Sequence, residues 1–165
     1  MSKSLKYVSL FLIVLLISCG DNEKNEKEGF SYEKKTESKS SVSETTLLAS
    51  QKTDLNNKGT GPITSMELPE TIDQDMARNG ERLFMKLCTA CHRPDKKFIG
   101  PEPKGIMDRR TPEWIMNMIL NPEEMLRKDP LAKELLVEFN YAPMIKQEVT
   151  QEDARAILEY YRTLN

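Results

Sequence analysis

A single histidine, His92, stands among 165 residues, and that scarcity excludes any metal site built from several imidazoles. Cysteine is nearly as rare. The three in the chain are too few for the two thiol pairs of a typical structural zinc site, and they leave no room for a disulfide framework. The apolar run from Tyr7 to Ile17 is too short to cross a bilayer comfortably. No stretch alternates β-branched with polar residues, so nothing argues for a sheet, and no internal repeat is present. With 24 basic and 26 acidic side chains the net charge is −2, which gives no basis for nucleic-acid binding.

What is present begins with Lys3 and Lys6 ahead of that apolar run, the layout of a secretory signal, so residues 1–18 are set apart from the fold. The run closes on Leu16-Ile17-Ser18-Cys19, which resembles the lipobox of bacterial lipoproteins. The resemblance implies that Cys19 is the mature N-terminus and carries lipid; the alternative is an ordinary signal peptide cut after a small residue. A protein so processed is exported and lipid-anchored to a bacterial membrane, on its periplasmic or cell-surface side. Each buried methylene contributes about 0.8 kcal/mol, so two or more acyl chains anchor stably. Removal of residues 1–18 brings the charge to near −4.

From residue 19 to 65 the composition turns to Asn, Glu, Lys, Ser and Thr with few aromatics, which reads as a disordered linker. Its span as a flexible chain is roughly 40 Å. Residues 66–165 are then one domain of ordinary size.

The stretch Cys88-Thr89-Ala90-Cys91-His92 carries the chemistry. Two thiols three apart with a histidine directly after the second form a c-type haem attachment site. Each thiol can add across one porphyrin vinyl group, and the adjacent imidazole reaches iron from one side. A zinc site lacks its second ligand pair, a thioredoxin-like redox pair lacks its βαβ context, and a structural disulfide between Cys88 and Cys91 is disfavoured to a similar degree. With Cys19 assigned to lipid, all three thiols are used.

The domain reads as all-α. A first helix is expected from Ile72 to Leu87, with Met76, Leu83, Phe84 and Leu87 on its apolar face and Gly80 permitting a close helix approach. A second follows Arg110, with Thr111 as N-cap, Pro112 at its first position, and Trp114, Ile115, Met118 and Ile119 inward. It ends at Asn121-Pro122. A third region covers Pro122 to Arg127 and Pro130 to Phe139, with Leu131, Leu135, Leu136 and Phe139 inward. The last helix opens on Thr150 and Asp153, a capping box, and buries Ile157, Leu158, Tyr161 and Leu164 against the first.

With no second histidine, the sixth iron position falls to methionine, to another weak ligand, or to nothing. Of the nine methionines, Met66, Met76 and Met85 lie on or near the first helix, and Met116 and Met118 lie inside the second, where an adaptable core filler is expected. Met144 sits in the irregular segment Asn140-Tyr141-Ala142-Pro143-Met144 before the last helix, and a loop can aim a thioether where a helix has less freedom. Met144 is the expected ligand, Met107 and Met125 are the alternatives, and an open site is the remaining one.

In combination these motifs resemble a class I cytochrome c, over about residues 75 to 165. Gly80, Phe84 and Cys88 stand four apart as in that family's first helix, Leu158 and Tyr161 match its last helix, and Gly100-Pro101 matches its loop after the attachment motif. The resemblance implies one covalent haem c, with the Pro101 carbonyl accepting a hydrogen bond from the His92 imidazole. It implies Trp114 beside a haem propionate, with Arg109 and Arg110 as nearby neutralising charges. The chain departs from the shortest members in the segment 122–139.

Imidazole and thioether together fill both axial positions, so such a site passes single electrons and resists oxygen or peroxide. The resemblance implies a carrier outside the cytoplasm, between a quinol-oxidising complex and a terminal oxidase or a reductase such as nitrous oxide reductase. Its membrane contact would be the lipid anchor, with no nucleic-acid partner. From His92 to Arg110 the chain is locally basic, at about +3, which suits docking to an acidic surface. The rival function is a haem enzyme or gas/peroxide sensor with an open sixth position. A third is a lipoprotein whose haem only holds the fold.

Overall fold

Every helix starts where a short polar side chain or a proline tells it to. In the computed structural model, which describes residues 47–164, Asp73 accepts from the Asp75 and Met76 amides and opens α1, Gln74–Leu87. Thr111 accepts from the Trp114 amide at the head of α2, Pro112–Leu120. Asn121 separates it from α3, Pro122–Lys128. Asp129 caps α4, Pro130–Glu138. Thr150 and Asp153 close the expected capping box on α5, Gln151–Arg162. Proline occupies the first turn of α2, α3 and α4, where its missing N–H has no intrahelical partner to lose. A 3₁₀ turn spans Ile106–Asp108, and among the described residues there is no strand. The fold is therefore all-α, as expected. Residues 1–46, with the signal segment and Cys19, lie outside the described residues. No described helix is long and apolar enough to cross a membrane.

The core is organised by α1 crossing α5. Gly80 makes the crossing possible: a Cβ there would stand 1.8 Å from the Ala156 carbonyl oxygen. The expected apolar face of α1 needs correction, because the buried line is Ala77, Gly80 and Phe84, whereas Met76, Leu83 and Leu87 are only half-buried. Close approach selects small residues on the contact line, and the larger aliphatic side chains flank it. Phe84 is wholly buried and its ring meets Tyr160 and Tyr161 at 5.5 and 5.9 Å, the latter edge-on.

At one end of this crossing the carboxylate of Glu159, 1% exposed, accepts from the Asp73 amide at 2.8 Å, from Arg162 at 2.8 Å and from Arg155. Burial pushes this carboxyl up, but the amide and the two guanidiniums outweigh it and hold it below 4.5. A depressed folded value means that its stabilisation is complete above the ordinary carboxylate range and is lost as pH falls through the folded value. Glu159→Gln leaves two half-buried guanidiniums short of their buried partner and should cost about 2 kcal/mol at neutral pH. Urea unfolding should show that deficit shrinking as the pH falls below the ordinary carboxylate range.

The linker boundary also needs correction. Residues 47–65, read as part of a disordered tether, lie along the surface of the helical domain. Arg110 donates to the Ala49 carbonyl at 2.7 Å and to that of Lys52. Asn117 donates to the Lys58 and Ile63 carbonyls at 2.9 and 2.8 Å and accepts from the Ile63 amide. Asn57 reaches Asp129 at 2.7 Å, and the Thr60 amide points at the Met125 sulfur at 3.0 Å. Only Ala49 and Ile63 are buried apolar residues in this segment. It is fastened by hydrogen bonds to distant partners, which composition does not register.

Candidate functional site

The attachment pentapeptide folds directly off the end of α1. The Cys88 amide donates to Phe84, and the Cys91 and His92 amides both donate to the Cys88 carbonyl at 3.1 and 2.9 Å. One tight turn thus brings two thiols and an imidazole together. Burial and the neighbouring Cys91 push the Cys88 thiol up to about 11, so it stays protonated, while Cys91 is exposed.

The His92 ring is fixed on two sides. Its Nδ1 lies 2.7 Å from the Pro101 carbonyl; a carbonyl only accepts, so Nδ1 carries the proton and the Nε2 lone pair is left for a metal. Gly100 lies against the ring so closely that a Cβ there would be 2.5 Å from its Cε1. Burial lowers the imidazole below 6.5 against an opposing pull from Pro101, which favours the neutral, ligating form.

His92 and Cys91 open onto a half-open cleft whose empty space, the solvent at its mouth included, is about 970 Å³. Its walls are mostly apolar, from α2, α4 and Tyr161 of α5, and the loop residues Ala142, Pro143 and Met144 line it too. Met118 of α2 also reaches the cleft, a candidate ligand that the sequence reading had left to the core. Met107 and Met125 do not line it. Met125 is wholly buried beneath Gly59 and Thr60. Among the described residues no three His, Cys, Asp or Glu side chains, those of the Cys88–His92 turn included, are placed to hold a metal ion between them.

The polar edge holds Ser50, Glu102, Arg109 and Arg110. Trp114 lines the cleft, but its indole N–H goes to Asp129 Oδ1 at 3.1 Å, the partner that sequence reading had sought in a propionate. Arg110 is buried and already serves three backbone carbonyls, including that of Arg109. Arg109 donates to the Lys104 carbonyl at 3.1 Å. Ser50 and its partner Glu138 were missed, since they lie 88 positions apart. The faint signal was turn chemistry downstream: Asp54 accepts from Asn56 and Asn57, and Asn57 from Gly59, a pattern that argues against disorder.

A thiol pair, a neutral imidazole with a free Nε2, and a broad apolar cleft beside them fit a covalently held haem. A family model described as Cytochrome c matches residues 77–165. The chain belongs to the cytochrome c family. A cytochrome c from Rhodothermus marinus is 41% identical, with 71% of this chain and 93% of that one covered at a TM-score of 0.61. An engineered form of the Rhodothermus marinus cytochrome c, bound to a carbene intermediate, is 42% identical over 71% and 94% of the two chains, TM-score 0.58. A comparison with curated proteins finds no match. The domain is a class I monohaem c-type cytochrome, whose cofactor is one covalent haem c and whose family activity is haem-based electron transfer.

Proposed function

We propose that this cytochrome c is a one-electron carrier of an extracytoplasmic respiratory chain, with Cys88 and Cys91 holding the haem and His92 and Met144 as axial ligands. The observation that carries the reading is that His92, with Nε2 free, and the Met144 loop line the same cleft. When bound, the haem supplies a reversible one-electron couple, whose potential thioether ligation and a low-dielectric wall raise. The chain's own part is to hold. Pro101 fixes the imidazole tautomer, the apolar walls with Trp114 among them exclude water, and the Met144 loop closes the sixth position.

The proposed donor is a quinol-oxidising complex and the proposed acceptor a terminal oxidase or a reductase such as nitrous oxide reductase. Lys96 and Lys104 are exposed in the basic segment after His92, which favours encounter with an acidic partner surface. Lipid at Cys19 would keep the carrier exported and membrane-anchored, on the periplasmic or cell-surface face.

Met144→Ala should abolish the weak long-wavelength sulfur-to-iron band of the ferric protein, admit cyanide at once, and lower the midpoint potential by more than about 59 mV, tenfold in the one-electron equilibrium. Met118→Ala should leave band and potential intact, at a stability cost of about 2 kcal/mol. Loss of the band in Met118→Ala instead would transfer the ligand to α2. The carbene-bound engineered relative favours the second reading, a haem enzyme or gas/peroxide sensor with an open sixth position. That reading requires the unsubstituted ferric protein to lack the band and bind cyanide rapidly.

A further inference from the structure

The loop that carries Met144 is poorly tied to the fold. The amides of Asn140, Tyr141 and Ala142 donate to Val137, Leu136 and Phe139 at the end of α4, but among the described residues those of Met144, Ile145 and Lys146 make no backbone hydrogen bond to the body of the domain, and from Met144 to α5 the only such bond is the local one from Val149 to Gln147. The loop also begins on two consecutive non-glycine residues in the left-handed region, Asn140 at φ 55° and Tyr141 at φ 60°. Such backbone persists only where its surroundings enforce it.

The local bonds to Val137 and Leu136 hold this turn, and a long-range contact ties down the residue that leads into it. Glu138, whose side chain is 8% exposed, accepts from the Ser50 amide at 2.8 Å and from the Ser50 hydroxyl at 2.6 Å. Lys97 Nζ lies 3.7 Å from the same carboxylate and 4.3 Å from the centre of the Phe139 ring. Ser50 and Phe139 both line the cleft. Three separate segments therefore meet at the root of the loop: the N-terminal segment, which precedes the 77–165 family match, the segment after the attachment motif, and the end of α4.

We infer that Glu138 is a positioning residue for the Met144 loop, latched by Ser50 and Lys97, and that this latch governs how often the loop leaves the cleft. The inference rests on Met144 being the sixth ligand. When the loop swings out, iron is open to small ligands; when the latch holds, only electrons pass. The N-terminal segment thereby acts on the redox site without touching iron.

Cyanide uptake by the full-length ferric holoprotein tests this, with urea unfolding measured in parallel. Ser50→Ala and Glu138→Ala should each take up cyanide about tenfold faster than the unsubstituted protein, and the double variant no faster than Glu138→Ala, because Ser50→Ala removes part of the contact that Glu138→Ala removes whole. Lys52→Ala removes an exposed ion pair to Glu134 elsewhere on the same segment; it should lower the urea midpoint slightly and match the unsubstituted protein in cyanide uptake. Slow uptake in both latch variants, or equal acceleration in Lys52→Ala, overturns the latch alone. Rapid uptake by the unsubstituted protein overturns the ligand assignment, and the latch with it.

Discussion

Gly80→Ala should leave little folded protein. Its Cβ would sit 1.8 Å from the Ala156 carbonyl oxygen, 2.4 Å from the carbonyl carbon and 2.9 Å from the Ile157 nitrogen. All three are backbone atoms of α5, so no side chain can rotate aside and the helices must separate. That separation would loosen Phe84 from Tyr160 and Tyr161 and strain the Asp73 to Glu159 bond at the end of the crossing. Overpacking ordinarily costs 1–3 kcal/mol and more when nothing can yield; about 4 kcal/mol is expected here, a large share of a small domain's stability. Gly105→Ala provides the contrast. Gly105 is at φ +64° but meets only side-chain ends, Arg109 at 3.1 Å and Asp108 at 3.8 Å, and should cost about 1 kcal/mol. The urea midpoints of the two variants, with the yield of folded protein, check the difference. Equal costs would mean that α1 and α5 do not cross at Gly80.

What was legible in the sequence is what local chemistry specifies. Thr111-Pro112 and the Thr150/Asp153 box mark helix starts because the capping atoms and the amides they satisfy lie within three residues. The attachment turn and Gly100-Pro101 were legible for the same reason: thiols, imidazole and carbonyl lie within fourteen positions of chain, Cys88 to Pro101. Contacts between distant segments were not. The segment 47–65 is polar, and its attachment to the domain depends on Asn117, Arg110, Asp129 and Glu138, each more than fifty residues away. Trp114 is expected beside a haem propionate, yet only the fold shows that its indole N–H goes to Asp129, which also caps α4. Met118 shows the opposite limit. Helical periodicity marked it as inward, but inward at this point means towards the cofactor cleft as well as the core.

Gly100→Ala should spare the helical fold and damage the site. The added Cβ would lie 2.5 Å from His92 Cε1, 2.9 Å from Nδ1 and 3.1 Å from Nε2, against the edge of the ring that must stay in place. Neither party can retreat cheaply. The Gly100 amide donates to Cys91 at 2.8 Å and its carbonyl accepts from Phe98 at 3.1 Å, while His92 is tied through Nδ1 to Pro101. The ring must therefore turn, breaking the Pro101 bond and aiming the Nε2 lone pair away from its axis. Loss of an outer hydrogen bond to a ligating imidazole typically weakens metal binding 10–100-fold. Ferric Gly100→Ala should be largely high-spin, with holoprotein yield down about tenfold or more. Its urea midpoint, measured on the same polypeptide, should fall far less than that of Gly80→Ala. Pro101→Ala is the discriminating partner, since the accepting carbonyl belongs to the backbone and survives the substitution. It should stay low-spin. A low-spin Gly100→Ala protein with normal yield would show that the His92 ring is not confined between Gly100 and the Pro101 carbonyl.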